Sequence, residues 1–147
     1  MSNTTYTTHS DQQTKKLAGE FARTLHGGEV IFLEGDLGSG KTTFVRGVAE
    51  AFGFQDPVRS PTFTIVNRYP VVKDSIRQIL HVDLYRLKDA SELTALALQE
   101  DLERPDTVAF IEWPYVVPEI PWTPDVVVQL KSLPIGTHEI VIIRQSE

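Results

Sequence analysis

Eight consecutive residues, from Gly35 to Thr42, constrain this chain more than any other stretch. They read G-D-L-G-S-G-K-T and fit the pattern G-x-x-x-x-G-K-[ST]. In this pattern the glycines let backbone N–H groups turn towards phosphate oxygens. The lysine reaches the β- and γ-phosphates, and the hydroxyl residue binds Mg²⁺. The alternative is a glycine-rich turn that merely precedes a helix.

The residues on either side favour phosphate binding. Before the motif, residues 29–33 form a short apolar run rich in β-branched residues, as expected of a buried parallel strand. After it, apolar residues recur at helical spacing from Phe44 to Phe52, so that a helix N-terminus would point at the phosphates. We therefore predict a P-loop that binds a nucleoside triphosphate. The residues predicted to contact the nucleotide are Asp36, Leu37, Gly38, Ser39, Gly40, Lys41, Thr42 and Thr43.

The composition is that of an ordinary globular protein. With 147 residues, 41% apolar and 23% charged, the chain predicts a single domain over 1–147. It has no cysteine, which excludes disulfides and thiolate metal sites. No apolar run approaches the roughly 20 residues of a membrane span, and Met1–His9 lacks the features of a secretory signal. We expect a cytoplasmic protein that does not bind membranes.

The charge argues against strong unaided binding to nucleic acid. The formal net charge is −6, and no long basic stripe is present to neutralise phosphates. Arg59, Arg68, Lys73 and Arg77 do cluster in the sequence. They form either a local basic patch or the solvated face of a hairpin.

The first half of the chain predicts a helix, the P-loop unit and a loop rich in hydroxyl groups. The helix begins at Ser10, an N-cap that Gln13 completes as a capping box, and ends at Gly27-Gly28. It either only packs or also borders the nucleotide. The loop, Ser60–Thr64, follows the P-loop helix, where switch segments of P-loop proteins sense the γ-phosphate. An ordinary connection is the alternative.

The second half predicts mostly strands. Residues 65–69 and 77–83 are predicted to pair as a hairpin through a polar turn at 70–75. A helical stretch follows from 89 to 104, with Ser91 as its possible cap, and a third strand covers 107–111. Two further strands, 125–130 and 139–143, form a closing hairpin. The expected fold class is α/β, a P-loop NTPase with a mixed, mostly parallel central sheet flanked by helices and an antiparallel C-terminal hairpin.

Two of these strands end on a carboxylate. Asp83 ends the strand 77–83, and Glu112 directly follows the strand 107–111. Carboxyl ends of adjacent parallel strands share one edge of the sheet, where ligands bind. If both strands are parallel to the one before the P-loop, Asp83 supports Mg²⁺, and Glu112 binds Mg²⁺ or orients the attacking water. Trp113 would then cover the site or simply pack.

The absence of certain motifs limits which nucleotide the chain is expected to bind and which reaction it is expected to catalyse. A guanine-reading N-K-x-D is absent, and Asp83 does not begin a D-x-x-G, so ATP with Mg²⁺ is expected. A chain of 147 residues leaves little room for an acceptor pocket and a lid. We expect ATP hydrolysis that is slow and coupled to another process. Two alternatives remain: a nucleotide-gated binding module without essential hydrolysis, and a small-molecule phosphotransferase.

Four blocks of this sequence together resemble one known family. They are G-D-L-G-S-G-K-T-T-F, S-P-T-F-T, H-V-D-L-Y-R-L and I-E-W-P, and they lie in order between Gly35 and Pro114. In sequence and spacing they are similar to the signature blocks of the TsaE (YjeE) family. The resemblance is weaker outside that range.

The resemblance implies a bacterial ATPase needed to make threonylcarbamoyladenosine at position 37 of tRNAs that read codons beginning with adenine. It implies a TsaB–TsaD heterodimer as partner, with TsaD transferring the group to tRNA and ATP hydrolysis driving or resetting the cycle. Contact with tRNA would be indirect, through the complex.

The resemblance also implies site residues. The catalytic residues would be Lys41, Asp83 and Glu112, and the metal would be bound by Thr42, Asp83 and Glu112. Trp113 would lie beside the nucleotide, and the first helix, including Asp11, near the adenine. Thr62 and Thr64 would belong to the switch-like loop.

Two features depart from the family pattern. Members commonly carry a glycine in the helix before the third strand, where this chain reads Leu96-Ala97-Leu98. The segment after Trp113 is rich in proline and lacks an acidic-basic pair that many members carry.

Overall fold

A computed structural model describes residues 2–145. They form seven strands, which make one continuous sheet, and four helices. In chain order the elements are β1 (Ser2–Thr8), α1 (Asp11–Ala22), β2 (Val30–Glu34), α2 (Lys41–Ala51), β3 (Val66–Lys73), β4 (Ile76–Asp83), α3 (Ala90–Ala95), α4 (Gln99–Glu103), β5 (Thr107–Glu112), β6 (Val126–Leu133) and β7 (Thr137–Arg144). No helix among these residues is long and apolar enough to cross a membrane.

The strand order is β1-β7-β6-β2-β5-β4-β3. The four inner strands β6, β2, β5 and β4 are parallel, and the outer pairings are antiparallel. The α/β class, the mixed sheet with a parallel centre and the C-terminal hairpin are therefore confirmed. The sheet does not end at that hairpin, because β1 pairs with β7 along its whole length.

The sheet is covered on both faces, which explains its apolar inner strands. Ile31 and Leu33 of β2 pack in one core with residues of α1 and α2. Phe32, which points the other way, packs in a second core with residues around α3 and α4. The alternation along β2 thus separates the two cores and fixes which side chains face the P-loop helix.

Several predicted boundaries need correction. Strand β3 runs through Pro70 to Lys73, so the polar turn predicted at 70–75 is confined to Asp74 and Ser75. Proline is tolerated because β3 is an edge strand. Helix α1 ends at Ala22, before the glycines. Ser10 caps α1 as predicted, but Gln13 accepts a hydrogen bond from the N–H of His9 (2.7 Å).

The second helical stretch is two short helices rather than one. Asp89 caps α3 by accepting from the N–H of Glu92 (3.1 Å), so the cap is Asp89 and not Ser91. Ala97 lies just beyond α3, with a φ of 53°, and this left-handed residue separates α3 from α4.

The basic cluster in the sequence is largely used within the fold. Arg68 forms an ion pair with Asp101 (2.8 Å), and Arg77 donates to the carbonyl oxygens of Asp74 and Ile76. These contacts favour the solvated hairpin face over a binding patch.

Candidate active site

A cavity of about 310 Å³ lies where the inner parallel strands end and α2 begins. P-loop residues, the loop after α2, and the ends of β4 and β5 all contribute to it. Its lining residues are Asp11, Leu37, Gly38, Gly40, Lys41, Thr42, Thr43, Ser60, Thr62, Asp83, Glu112 and His138. This is the carboxyl-end crevice in which ligands of open α/β sheets bind.

The P-loop wraps around the start of α2. Gly40 is the N-cap residue of α2 and has a φ of 104°, a left-handed conformation that side-chain-bearing residues rarely adopt. It leaves the first N–H groups of α2 without a side-chain cap. Uncapped helix N–H groups beside a cavity suit phosphate oxygens.

Lys41 is buried at the floor of this cavity, with 6% of its surface exposed. Its Nζ donates to the carbonyl oxygens of Gly35 and Asp36 and lies 4.4 Å from the centre of the Trp113 ring. Burial lowers the pKa of Lys41, and the negative charges of Glu112 and Asp83 oppose that shift. The ammonium group is thus held by P-loop carbonyls and an aromatic ring, and the charges of two nearby carboxylates favour its protonated form.

Asp83 is the last residue of β4 and is almost fully buried. It accepts hydrogen bonds from the backbone N–H of Tyr85 (2.9 Å) and from the hydroxyl of Thr62 (3.2 Å). Burial raises the pKa of Asp83, and the nearby charge of Glu112 adds to the rise. The bond to Thr62 connects this carboxylate directly to the hydroxyl-rich loop.

Glu112 is the last residue of β5 and lies opposite Asp83 in the parallel ladder. Its Oε2 is 2.5 Å from Nε2 of His81, a fully buried residue of β4. Residues two apart on a strand share a face, so His81 and Asp83 both point to the α2 side, as Glu112 does.

The residues present fit Mg²⁺ only in combination with phosphate. Within the described chain, no group of three or more His, Cys, Asp or Glu side chains could hold a metal ion. Mg²⁺ is usually bound through one or two carboxylates together with substrate phosphates. Thr42, Asp83 and Glu112 border the same cavity as the uncapped N–H groups, which is the donor set that this chemistry needs.

The structure brings most of the sequence-predicted site residues together around the cavity, with four exceptions. Asp36 contributes its backbone carbonyl to Lys41, and the Ser39 hydroxyl is buried without a partner. Trp113 contacts Lys41 from outside the cavity lining, with a left-handed φ of 56° and a buried, unpartnered indole N–H. Thr64, implied by the resemblance, instead bonds to the side chain of Asn67.

Sequence reasoning missed two histidines. His138 near the start of β7 borders the cavity, but no motif surrounds it, so no signal in the sequence could have found it. His81 could have been found, because its two-residue offset from Asp83 puts both on one face of β4.

Fold and site define an α/β protein with a P-loop and two strand-end carboxylates. The family model for "Threonylcarbamoyl adenosine biosynthesis protein TsaE" matches residues 8–139. The chain therefore belongs to the TsaE family of tRNA threonylcarbamoyladenosine biosynthesis.

Individual relatives agree with this assignment. The chain is 38% identical to tRNA threonylcarbamoyladenosine biosynthesis protein TsaE of Rickettsia bellii over 126 residues, covering 85% of this chain and 84% of the relative. It is 51% identical to the TsaE protein of Aquifex aeolicus over 82 residues, which span 54% of this chain and only 59% of that protein.

A solved structure is similar throughout. The crystal structure of YdiB from Bacillus subtilis matches with a TM-score of 0.74 and 27% identity, covering 99% of this chain and 87% of the other.

Proposed function

We propose that this chain binds ATP with Mg²⁺ and hydrolyses it, in the cytoplasm, as the ATPase partner of a TsaB–TsaD complex that forms threonylcarbamoyladenosine in tRNA. One observation carries the proposal: Lys41, Thr42, Asp83 and Glu112 border a single cavity at the start of α2. A structural role alone does not account for a lysine and two carboxylates that are all almost fully buried there.

Each residue has a role that its position supports. Lys41 and the N–H groups at the start of α2 bind the phosphates and stabilise charge that develops on them. Thr42 and Asp83 hold Mg²⁺, which when bound neutralises phosphate charge. Glu112 joins them or accepts a hydrogen bond from the water that attacks the γ-phosphate.

Hydrolysis is tested by steady-state ATPase assays on purified protein, alone and with TsaB–TsaD. Lys41→Ala and Glu112→Ala should each lower kcat on the order of 100-fold or more. Glu34→Ala is the matched control, because Glu34 ends the neighbouring strand β2 but does not border this cavity. Normal turnover in Glu112→Ala would disprove its catalytic role.

The partner is tested by tRNA modification assays with TsaB, TsaD and ATP. Modification should require this chain and fail with Lys41→Ala. Two exposed aromatic residues close in sequence to Thr62 and Trp113, Phe63 (83% exposed) and Tyr115 (68% exposed), support a docking surface, since aromatic residues are enriched at interfaces. Modification that proceeds equally well without this chain would refute the proposal.

A nucleotide-gated binding module is the second candidate. It is favoured by the hydrogen bond from Thr62 to Asp83, which would let a bound nucleotide position the loop that carries Phe63. In that case Glu112→Ala would still bind TsaB–TsaD in an ATP-dependent way and support modification without turnover.

A further inference from the structure

We propose that His81 is a positioning residue for Glu112: it holds one carboxylate oxygen by a hydrogen bond from Nε2 and so aims the carboxylate at the cavity. The inference deepens the proposed function and rests on it. Its basis is the 2.5 Å contact between Nε2 and Oε2, in which the His81 side chain is 0% exposed and the Glu112 side chain 4% exposed.

The backbone around His81 is fixed on both sides. In the sheet, His81 pairs with Asn67 of β3 and with Phe110 of β5. Its ring also packs near Tyr69, with the ring centres 6.3 Å apart. A side chain on an inner strand with neighbours on both sides is a rigid support for a functional group.

The ring nitrogens indicate which one carries the proton. Nδ1 of His81 is buried and has no hydrogen-bond partner. A buried N–H without an acceptor is rarer and more costly than an unpaired acceptor. The neutral ring with its proton on Nε2 therefore fits best, and its Nε2–H group donates a hydrogen bond to the Glu112 carboxylate.

This hydrogen bond has a direct consequence for Glu112. A glutamate side chain has three torsions, so a free carboxylate can take many positions in a cavity. When one carboxylate oxygen is held by a hydrogen bond, the other oxygen is restricted to a narrow range of positions. Productive geometry requires reacting groups to be held within a fraction of an ångström. His81 thus serves the reaction without touching the nucleotide, since it does not border the cavity.

Two amide variants separate positioning from packing. The glutamine amide extends to about the reach of Nε2, and the asparagine amide only to about that of Nδ1. We expect His81→Leu and His81→Asn to lower kcat for ATP about 10- to 100-fold. His81→Gln should recover most of that loss, and KM for ATP should change little in all three, because the phosphate contacts are intact.

A purely structural role predicts a different pattern. All three variants would then lose stability against urea in proportion to their packing defects, while kcat per folded molecule stayed at the wild-type value. Equal kcat in His81→Gln and His81→Asn, measured on folded protein, would also overturn positioning. The comparison uses two amides of similar polarity, so it holds even if His81→Leu does not fold.

A second readout does not depend on turnover. Nitrogen NMR of the imidazole rings should show His81 with its proton on Nε2. Glu112→Ala should shift that signal strongly and leave the signals of His9 and His26, which do not border the cavity, unchanged. A proton on Nδ1, or a signal that ignores Glu112→Ala, would refute the hydrogen bond.

The two readouts also distinguish this inference from the proposed function. If the wild-type protein shows no ATPase activity, alone or with TsaB–TsaD, the proposed hydrolysis is refuted, and so is a catalytic benefit of His81. The NMR result would still decide whether the hydrogen bond to Glu112 exists. Wild-type activity that persists in His81→Leu would refute the inference alone.

Discussion

Lys41 and Trp113 lie against each other, with the lysine Nζ 4.4 Å from the centre of the indole ring. The same ammonium group donates to P-loop carbonyls, so in this arrangement it is bound by the protein itself. A lysine that reaches bound phosphates has to exchange some of these contacts. The indole of Trp113 should therefore report nucleotide binding.

That report can be isolated, because the chain has two tryptophans and the other, Trp122, lies beside α3 and outside this site. In Trp122→Phe, saturating Mg·ADP should change the emission of Trp113, and Lys41→Ala should weaken or abolish the change. Fluorescence titration measures it, with calorimetry as an independent check of binding. Tight binding with constant emission would contradict the prediction.

The ion pair of Arg68 with Asp101 gives stability that depends on pH. The pair is bidentate, at 2.8 and 3.1 Å, and the guanidinium lowers the pKa of Asp101 below its ordinary value. A carboxyl whose pKa is lower in the folded state stabilises the fold above its unfolded pKa of about 3.9, and that contribution is lost as the pH falls through the folded pKa.

Asp101→Asn should therefore lower the free energy of unfolding at pH 7 by about 1 kcal/mol at most, because Arg68 is half-exposed and water screens the pair. The difference from wild type should shrink as the pH falls below about 4. Urea unfolding at several pH values measures it. Asp106→Asn is the control, since its pair with Arg104 is local and exposed, and a larger effect there would contradict this account.

Substitution by alanine should change the stability of the protein in opposite directions at Gly19 of α1 and at Gly47 of α2. A Cβ on Gly47 would lie 2.6 Å from the carbonyl oxygen of Lys15 and 2.8 Å from Cβ of Ala18. A Cβ on Gly19 would have only ordinary contacts, with Cβ of Ala51 at 3.8 Å and the carbonyl oxygen of Gly47 at 4.0 Å. The helix that begins with Lys41 thus packs directly on the backbone of α1 at Gly47.

Gly47→Ala should cost about 1–3 kcal/mol of stability, because backbone has to move, and it should also weaken nucleotide binding by shifting α2. Gly19→Ala should stabilise the protein by up to about 1 kcal/mol through helix propensity. Thermal unfolding and ADP titration of both variants test this. A neutral Gly47→Ala would show that α1 and α2 can separate at no cost.

The central features of the fold followed from local patterns. The P-loop and the apolar runs before Asp83 and Glu112 predicted strands whose ends meet if the strands are parallel, and the sheet fulfils that condition. The meeting of His81 with Glu112 follows from strand alternation once the register is known. Register between strands distant in sequence is what single-sequence patterns do not supply.

The elements that escaped prediction lack an apolar pattern. Strand β1, with the sequence S-N-T-T-Y-T-T, is exposed along nearly its whole length and is held mainly through its pairing with β7. Backbone pairing leaves no hydrophobic alternation to recognise. Pro70 suggested a turn because proline is excluded from inner strands. The edge position of β3, which the sequence does not reveal, allows a proline there.

The resemblance implies a glycine in the segment Leu96-Ala97-Leu98, and Ala97 is the residue of this segment whose backbone conformation favours glycine. It is not inside a helix: it follows the C-cap residue Leu96 of α3, has a φ of 53°, and donates its N–H to the carbonyl oxygen of Thr94 (3.1 Å). Helices commonly end with a left-handed residue at this position, which is usually glycine because any Cβ is disfavoured there.

Ala97→Gly should therefore stabilise the protein by about 1 kcal/mol, since it relieves the left-handed strain. Ala95→Gly is the matched control: Ala95 is exposed like Ala97 but is the last residue of α3, where glycine should instead cost roughly 0.5–1 kcal/mol. Urea unfolding of the two variants measures the difference in sign. If both substitutions destabilise the protein, the prediction is contradicted, because Ala97 would then have no conformational strain for glycine to relieve.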